Sequence, residues 1–345
     1  MLFVDQPVNV GFSYSEGDQV DNTPDAAEDV YAFLQLFFGR FKEYSRLPFH
    51  IATESYGGRY APLMASSIHK HNKALSSASN SDDSLAPKPR ALHINLASVL
   101  IGNGRTEPQT QMGAVPTFAC EGPYPVHDPN GPECRALKRK TPICQRLVGN
   151  CYEFGNQSSC ASAADYCESE VLSPPDFQKL GLNPYDVRRK CDDDDGGLCY
   201  AEVGWIETFL NNATLKRELG VLDEGRKDIE FRGCNVDMDD DFANQGDGMH
   251  NSAAVIPEML EDGIRFLIYA GNADYRCNFI GNEQWMVKLD SKFQAEFQDA
   301  PLVTYRTLSG RVGGRVRSAG AGGIHHLSAG NFTYVVVTEA GHMVP

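Results

Sequence analysis

Several features that would indicate a membrane protein or a nucleic-acid-binding protein are missing from this 345-residue sequence. No run of apolar residues approaches the ~20 that are needed to span a bilayer. Basic residues are scarce, since 31 Lys and Arg face 46 Asp and Glu and leave a formal net charge of -15. A surface of that charge does not neutralise a phosphate backbone. We therefore expect no membrane span and no nucleic-acid partner.

The ten cysteines contain no CxxC pair, which makes a zinc site a weaker interpretation than disulfides formed in an oxidising compartment. Eight of them fall within one stretch and are Cys120, Cys134, Cys144, Cys151, Cys160, Cys167, Cys191 and Cys199. Their spacing alone leaves the pairing open. Three N-x-S/T triplets, at Asn156, Asn212 and Asn331, suit glycosylation on a secretory route. The sequence indicates no metal and no cofactor.

A signal peptide is also missing from the start of the sequence. Met1 is followed directly by Leu2-Phe3-Val4-Asp5, which predicts a strand rather than the basic start and long apolar centre of a leader. If the protein is secreted or delivered to a vacuole or lysosome-like compartment, we expect its true beginning to lie upstream of Met1.

The first part of the chain alternates between strand and helix patterns. Thr23-Pro24 predicts the N-cap and the first position of a helix. Residues 49–52, 60–71 and 94–101 predict a strand, a helix and a strand. Strands that alternate with helices indicate a parallel sheet covered on both faces. The fold class is therefore predicted to be α/β, with a doubly wound, mainly parallel sheet.

The pattern changes after a first core segment, residues 1–104. Residues 105–247 are dominated by cysteines, prolines and short segments, which predicts a cap inserted over the active site and held by disulfides. Residues 248–345 return to the core pattern, with strands predicted at 265–269 and 334–337.

Two segments indicate irregular structure. Residues 71–90 are rich in Ser, Asn, Ala and Pro, which is typical of a flexible surface excursion. Residues 308–330 are rich in Gly and Arg but lack a GxGxxG fingerprint that opens a helix, so they predict a loop.

A candidate nucleophile lies in residues 53–58, between a short apolar strand and a helix. This is the context of the nucleophile elbow, in which a tight turn lifts a serine hydroxyl above the sheet. Gly57 supplies the small residue two positions after Ser55, whereas Thr53 replaces the usual glycine two positions before it. Taken alone, the segment is equally consistent with an ordinary turn before a helix.

Two further candidates follow predicted strands. Asp274 and His342 lie just past the carboxyl ends of the strands at 265–269 and 334–337, where doubly wound sheets place their sites. The order Ser, Asp, His is that of α/β-hydrolases. In that arrangement His342 takes the proton of Ser55, and Asp274 orients the imidazole. Singly, Asp274 also suits a turn and His342 a surface position at a strand end.

Several segments, in order along the chain, resemble the serine carboxypeptidase family, and the cysteine spacing most resembles its carboxypeptidase Y branch. The matching segments are FVDQP at 3–7, GFSYS at 11–15, ESYGGRYAP at 54–62, IGNG at 101–104, NPYDVR at 183–188, IYAG at 268–271 and GHMVP at 341–345. The resemblance spans nearly the whole chain and implies an α/β-hydrolase fold with a disulfide-rich cap.

The resemblance also implies a reaction. Ser55 would form an acyl-enzyme with the last peptide carbonyl, and the backbone N–H of Tyr56 would be one oxyanion donor. Glu54 would recognise the terminal carboxyl group of a peptide or protein substrate while protonated, which favours acidic pH. Cys277 and Met343 would line the pocket for the leaving amino acid.

Two more features are implied by the same resemblance. Tyr14 would border, with Tyr56, the pocket for the residue before the scissile bond. The disulfides would be Cys120–Cys134, Cys144–Cys167, Cys151–Cys160 and Cys191–Cys199.

One family segment, Trp-Asn-Gly-Gly-Pro-Gly-Cys-Ser-Ser, would precede Met1, and the family's closing helix would follow Pro345. We therefore expect a form truncated at both ends. Losing the second oxyanion donor typically costs about a hundred- to a thousand-fold in rate, so we expect this form to be impaired. The alternatives are an esterase-like enzyme on the same fold and a non-catalytic relative.

Overall fold

The computed structural model describes residues 1–17, 19–78, 91–192, 199–222, 228–320 and 330–344. Within these residues a six-stranded sheet has the order β1-β2-β5-β8-β7-β6. Its strands are β1 (Phe49–Glu54), β2 (Leu96–Gly102), β5 (Arg265–Gly271), β6 (Val303–Arg306), β7 (Val312–Ala319) and β8 (Phe332–Val337). The first four in spatial order are parallel, and β7 and β6 continue the sheet antiparallel. The predicted mainly parallel sheet is confirmed.

A second, two-stranded antiparallel sheet is formed by β3 (Leu182–Asn183) and β4 (Asp186–Lys190). The helices are α1 (Thr23–Arg40), α2 (Gly57–Ala78), α3 (Pro108–Glu121), α4 (Pro132–Phe154), α5 (Gln157–Cys167), α6 (Pro175–Gln178), α7 (Ala201–Leu210), α8 (Ala213–Glu218), α9 (Val236–Gln245), α10 (Ile256–Glu261), α11 (Phe279–Lys288) and α12 (Gln294–Asp299). A π-helical turn spans Glu168–Leu172, and 3₁₀ turns span Asp247–Met249 and Ser252–Val255.

Helix α1 is capped one residue earlier than the sequence predicts. The side chain of Asn22 accepts the backbone N–H of Asp25, so Asn22 is the N-cap and the prediction of Thr23 is wrong. Thr23 is already helical, and its hydroxyl donates to the buried carboxylate of Asp247. The side chain of Thr23, which the local sequence predicted as the N-cap, is thus bound by Asp247, a residue far away along the chain.

The main core packs against one face of the central strands. Val99 and Ile101 of β2 and Phe266 and Ile268 of β5 are almost fully buried, and Trp285 of α11 packs with them. Burying each such side chain contributes ~1.5–3 kcal/mol. On the other face of these strands Leu100 and Leu267 are half-buried, so β2 and β5 have near-continuous apolar sequences that are easily recognised.

A second core binds the cysteine-rich segment to the sheet. It is formed by residues of α3, α4 and α5 and includes Tyr275, from the loop after β5. Four disulfides cross-link this part of the chain and are Cys120–Cys134, Cys144–Cys167, Cys151–Cys160 and Cys191–Cys199. These are the pairs that the family resemblance implies. The expectation of short segments is wrong for α4, which has 23 residues.

Three expectations about irregular and extended segments need correction. The predicted loop at 308–330 contains β7, which pairs with both β6 and β8, while residues 321–329 lie outside the described part. Gly314 allows β7 to lie close to β8, because a Cβ at this position would lie 1.8 Å from the carbonyl oxygen of Val336. The excursion predicted at 71–90 begins later, because α2 continues to Ala78.

The strand predicted at residues 2–5 is not formed. These residues pair with no strand of the described chain, and the side chain of Phe3 is 86% exposed. The sequence of residues 2–5 indicates an extended apolar segment, but it does not show whether another strand is available to pair with it.

Candidate active site

Ser55 occupies a strained turn between β1 and α2. Its φ is 61°, a left-handed conformation in which a non-glycine residue is uncommon. The backbone N–H of Ser55 donates to the carbonyl of Gly102 over 3.0 Å, and the carbonyl of Ser55 accepts from Gly58 over 2.9 Å and from Arg105 over 3.0 Å. The turn is therefore fixed by the end of β2 as well as by its own helix. This is the geometry of the predicted elbow.

Gly57 and Gly58 are required by close packing of the elbow. A Cβ on Gly57 would lie 2.4 Å from the Cβ of Thr53, and one on Gly58 would lie 2.6 Å from the backbone nitrogen of Arg105. The Thr53 hydroxyl also donates to the carbonyl of Gly57. Thr53 fits on one side of the turn because Gly57, on the other side, has no side chain that would clash with it.

His342 and Asp274 form a buried pair. Nδ1 of His342 lies 2.7 Å from Oδ2 of Asp274, and the two side chains are 2% and 0% exposed. They follow β8 and β5, adjacent parallel strands whose carboxyl ends lie at the same edge as that of β1. The fold thus brings Asp274 and His342 together at the edge where Ser55 lies.

The other nitrogen of this imidazole is free to accept a proton. Nε2 of His342 is buried and has no hydrogen-bond partner among the described residues. In unliganded enzymes the catalytic hydrogen bond between nucleophile and base commonly tightens only when substrate binds. Burial lowers the pKa of His342, but the charge and the hydrogen bond of Asp274 outweigh it, so the pKa lies above the ordinary value.

Asn103 contacts the predicted triad, and the sequence did not indicate this contact. It follows β2, is fully buried, and donates through Nδ2 to Oδ2 of Asp274 over 2.7 Å. Its Oδ1 accepts the backbone N–H of Gly271 over 3.0 Å. Asn103 therefore fixes the same carboxylate oxygen that His342 uses. Its position directly after a buried strand was the available signal.

The β3–β4 turn forms hydrogen bonds to the loops that carry Asp274 and His342. The carbonyl of Tyr185 accepts the N–H of His342 over 2.7 Å, and the carbonyl of Pro184 accepts the N–H of Tyr275 over 3.1 Å. The Tyr185 ring also lies 5.1 Å from the His342 ring, centroid to centroid. A segment distant in sequence thereby sets the positions of both loops, and no local pattern indicated this role.

Glu54 lies beside the histidine–aspartate pair. Burial raises the pKa of its carboxyl above the ordinary value; His342 opposes this shift, and Asp274 adds to it. The carboxyl group therefore keeps its proton at higher pH than an exposed glutamate does. A protonated carboxyl can donate a hydrogen bond to an anion.

Tyr56 presents an unused backbone donor next to Ser55, since its N–H makes no hydrogen bond within the described residues. Its side chain is held by Asp247, whose Oδ2 accepts the Tyr56 hydroxyl over 2.7 Å. Asp247 also pairs with Arg59 over 3.0 Å, with side chains 2% and 6% exposed. The buried ion pair fixes the residue after the nucleophile.

The other residues that were predicted to line the substrate pockets differ in how exposed they are. Cys277 is buried beside Asp274, whose Oδ2 lies 3.3 Å from the Cys277 backbone nitrogen, and burial raises the pKa of its thiol to about 12. Met343 follows His342 and is 45% exposed. Tyr14 is 57% exposed and lines a cleft of about 710 Å³ together with Arg232. No residue of the predicted triad lines that cleft.

The three predicted glycosylation asparagines differ in exposure. Asn156 and Asn212 are exposed and cap α5 and α8. Asn331 is half-buried just before β8.

Side chains that could bind a metal have other partners in the described part of the chain. His69, Glu258 and Asp262 lie close together, but the Lys73 ammonium donates to both carboxylates over 2.9 and 3.0 Å. A cation of the protein itself therefore occupies the position between these two carboxylates. Among the described residues no helix is long and apolar enough to cross a bilayer.

A serine in a left-handed elbow, with a histidine–aspartate pair at the ends of neighbouring parallel strands, is the arrangement typical of the α/β-hydrolase fold. The chain belongs to the serine carboxypeptidase family, because the model of that family matches residues 1–345.

Curated relatives agree with this assignment. The chain is 42% identical to carboxypeptidase Y homolog A of Neurospora crassa over 351 aligned positions and 42% identical to the protein of that name from Sordaria macrospora. Each alignment covers 100% of this chain and 56% of the relative. The chain thus spans about half the length of the curated relatives it matches.

A solved structure shows the fold independently. The prohormone-processing carboxypeptidase Kex1Δp of Saccharomyces cerevisiae is similar with a TM-score of 0.73 and 24% identity, over 99% of this chain and 70% of that one. Its likeness supports the α/β-hydrolase fold predicted from the sequence.

Proposed function

We propose that this protein is a serine-type carboxypeptidase that releases C-terminal amino acids from peptides through an acyl-enzyme. The observation that carries the proposal is the Ser55 elbow at the same sheet edge as the 2.7 Å pair of His342 and Asp274. Membership of the serine carboxypeptidase family supports the substrate class.

Acylation begins when Ser55 attacks the carbonyl carbon of the last peptide bond. As the Oγ–C bond forms, the hydroxyl proton moves to Nε2 of His342, and Asp274 stabilises the charged imidazole. The oxyanion faces the free N–H of Tyr56. Collapse breaks the C–N bond, His342 gives its proton to the amine, and the amino acid leaves.

Deacylation repeats these steps with water. His342 takes a proton from the water as its oxygen bonds to the ester carbon, and the second oxyanion forms at the same N–H. Collapse breaks the bond to Ser55, whose oxygen recovers the proton from His342. The product is a peptide shortened by one residue with a new terminal carboxyl group.

Glu54 gives the reaction its preference for a free C-terminus. Its protonated carboxyl, next to Ser55 in sequence and near His342, would donate a hydrogen bond to the terminal carboxylate of the substrate. Cys277 and Met343 would contact the leaving amino acid, and Tyr56 and Tyr14 the residue before it. Cys277 is supported by its burial beside Asp274, whereas Tyr14 has only the family resemblance.

The proposed pH dependence is bell-shaped: a protonated Glu54 favours acidic pH, whereas the raised pKa of His342 limits how far activity extends towards low pH. Activity falls at low pH as His342 gains a proton, and at high pH as Glu54 loses one. Both pKa values are raised. When Glu54 is protonated it no longer adds to the pKa of His342, although Asp274 still raises that pKa.

We also propose an oxidising location, either a vacuole- or lysosome-like compartment or the exterior. The four disulfides support it, because such bonds persist where thiols are not kept reduced. The exposed sequons at Asn156 and Asn212 are compatible with a secretory route.

For the 345 residues taken alone we propose weak hydrolysis. The N–H of Tyr56 is one backbone donor next to Ser55, and losing a second oxyanion donor typically costs about a hundred- to a thousand-fold in rate.

The test is hydrolysis of an N-blocked dipeptide with a free terminal carboxyl group against the same dipeptide as its amide. We expect release of the last amino acid from the free acid, a large preference over the amide where Glu54 is protonated, and loss of both activities in Ser55→Ala. Equal cleavage of acid and amide would favour an esterase-like enzyme. No cleavage of either peptide would contradict the proposal.

A further inference from the structure

Asn183 is a fully buried polar residue at the end of β3, and its side chain connects two segments of backbone. Its Nδ2 donates to the carbonyl of Cys199 over 3.0 Å, and its Oδ1 accepts the backbone N–H of Tyr185 over 2.8 Å. A side chain that binds its own backbone two residues further on fixes the shape of a turn. Because a buried amide without partners is costly, both contacts favour one conformation of the turn between β3 and β4.

This turn is bonded to the two loops that carry the predicted base and its carboxylate. The carbonyl of Tyr185 accepts the N–H of His342 over 2.7 Å. The N–H of Val187 donates over 3.0 Å to the carbonyl of Ala273, the residue before Asp274. The conformation of the turn therefore affects where both loops lie.

The turn also packs directly against the backbone in front of His342. A Cβ on Gly341 would lie 2.7 Å from the carbonyl oxygen of Tyr185 and 2.9 Å from the Cβ of Asp186. Glycine at this position thus allows the backbone of the turn to approach the backbone of the loop. No flexible side chain of residue 341 lies between them, so a displacement of Tyr185 is passed on to His342.

The group that Asn183 binds is itself fixed by a disulfide. Cys199 is bonded to Cys191, the residue that follows β4. The N–H of Cys191 donates to the carbonyl of Gly181, just before β3, over 3.0 Å. The disulfide therefore ties the acceptor of the Asn183 amide to the base of the β3–β4 hairpin.

We propose that Asn183, anchored through the Cys191–Cys199 disulfide, is a positioning residue that places His342 for the activation of Ser55. The inference rests on the proposed function, in which His342 is the base, and adds to it a residue of the cysteine-rich segment. Asn183 acts through the Tyr185 carbonyl and not by contact with the reacting atoms. A small misplacement of a reacting group costs up to about a hundredfold in rate.

The test measures the rate at which a small fluorophosphonate labels Ser55 in Asn183→Ala. In this reaction Oγ bonds to phosphorus, fluoride leaves, and His342 takes the hydroxyl proton. The rate reports the activation of Ser55 without a leaving amino acid. We expect labelling to slow by about 10- to 100-fold relative to the wild type. Asn183→Ser keeps an oxygen that can accept the N–H of Tyr185 and should recover part of the rate.

The pH dependence of labelling distinguishes positioning from a loss of stability. Burial lowers the pKa of His342, whereas Asp274 and Glu54 raise it. Arg276 also lowers this pKa. When the imidazole is less well held against Asp274, burial prevails and the pKa falls. The acid limb of the labelling rate in Asn183→Ala should therefore lie at lower pH than in the wild type, and that of Asn183→Ser should lie between them.

The matched control is Asn211→Ala, in the same cysteine-rich segment. The Asn211 amide also makes one donor and one acceptor bond to the backbone, at 2.8 and 2.9 Å, and both are to Phe231. Both alanine variants should melt below the wild type, but Asn211→Ala should keep the wild-type labelling rate and acid limb. If Asn183→Ala melts like Asn211→Ala and also labels like the wild type, its role is only structural and the proposal is overturned.

A second variant tests the anchor without changing Asn183. In the double variant Cys191→Ser with Cys199→Ser, the carbonyl of residue 199 is present but is no longer cross-linked to the end of β4. Labelling should slow, and its acid limb should move in the same direction as in Asn183→Ala. A folded double variant that labels like the wild type would contradict the proposed anchoring.

Labelling also separates this proposal from the proposed function. If the wild type is labelled at Ser55 but cleaves neither dipeptide, the carboxypeptidase proposal fails. The labelling rates of the Asn183 variants then still test the positioning of His342. A wild type whose Ser55 is not labelled would overturn both proposals.

Discussion

Replacing Asn103 by alanine tests whether this residue, which the sequence did not indicate, supports Asp274. The variant removes the 2.7 Å hydrogen bond to Oδ2 of Asp274 and the acceptor for the N–H of Gly271. A hydrogen bond to a charged group contributes about 1.5–3 kcal/mol. If this stabilisation of the transition state is lost, kcat falls roughly 10- to 100-fold, while KM for a blocked dipeptide stays nearly constant.

The same variant predicts a change in pH dependence. A loosened Asp274 supports the imidazolium less, so the burial of His342 prevails and its pKa falls. A base with a lower pKa stays neutral to lower pH. The acid limb of kcat should therefore move to lower pH while the plateau drops, and rates measured from about pH 4 to 8 report both effects.

The matched control is Asn72→Ala. The Asn72 side chain makes two hydrogen bonds to the backbone of Ile94, at 2.8 and 3.0 Å, away from the predicted triad. Both variants should lose stability, and thermal melts calibrate that loss. If Asn103→Ala and Asn72→Ala melt alike and retain the wild-type kcat and pH profile, the role assigned to Asn103 is refuted.

Three further predictions address the recognition of the terminal carboxyl group, the elbow and the cap. In Glu54→Gln the amide donates at any pH, so KM for a free-acid dipeptide should stop rising towards alkaline pH; a persisting rise contradicts the role of Glu54. Gly57→Ala should cost about 1–3 kcal/mol and most activity because of the 2.4 Å approach to Thr53, and Thr53→Gly should restore part of both; no rescue would contradict the packing argument. The Arg276 and Arg105 guanidinium groups overcome burial and lower the pKa of Glu168 to about 2, so its stabilisation is full above the ordinary pKa and is lost as pH falls towards 2. In urea titrations Glu168→Gln should cost about 1 kcal/mol at pH 6 and less at pH 3; an equal cost at both pH values would contradict the pairing.

The parts of the fold that were predictable have strong local signals. Strands β2 and β5 have near-continuous apolar runs, and Ser55, Asp274 and His342 follow β1, β5 and β8 in the expected order. The carboxyl ends of parallel strands lie at a common edge of the sheet. Residues that follow these strands are therefore close to one another in the fold. The family resemblance then implied the disulfide partners, which spacing alone leaves open.

The missed parts depend on contacts between distant segments. Strand β7 was predicted as a loop because its glycines and arginines lack a strand pattern, yet Gly314 is the residue that lets it approach β8. Asn103 and Tyr185 act through partners far along the chain. Thr23 was predicted as the cap of α1 because its partner Asp247, more than two hundred residues away, cannot be inferred from the local sequence.

The central claim is that Ser55 is activated by His342. Its most direct test is mass spectrometry of the full-length protein after reaction with a fluorophosphonate, which labels activated serines. We predict one label per molecule on the peptide containing Ser55, little in His342→Ala, and none on that peptide in Ser55→Ala. Stoichiometric labelling at another serine, or unchanged labelling of Ser55 without His342, would contradict the account.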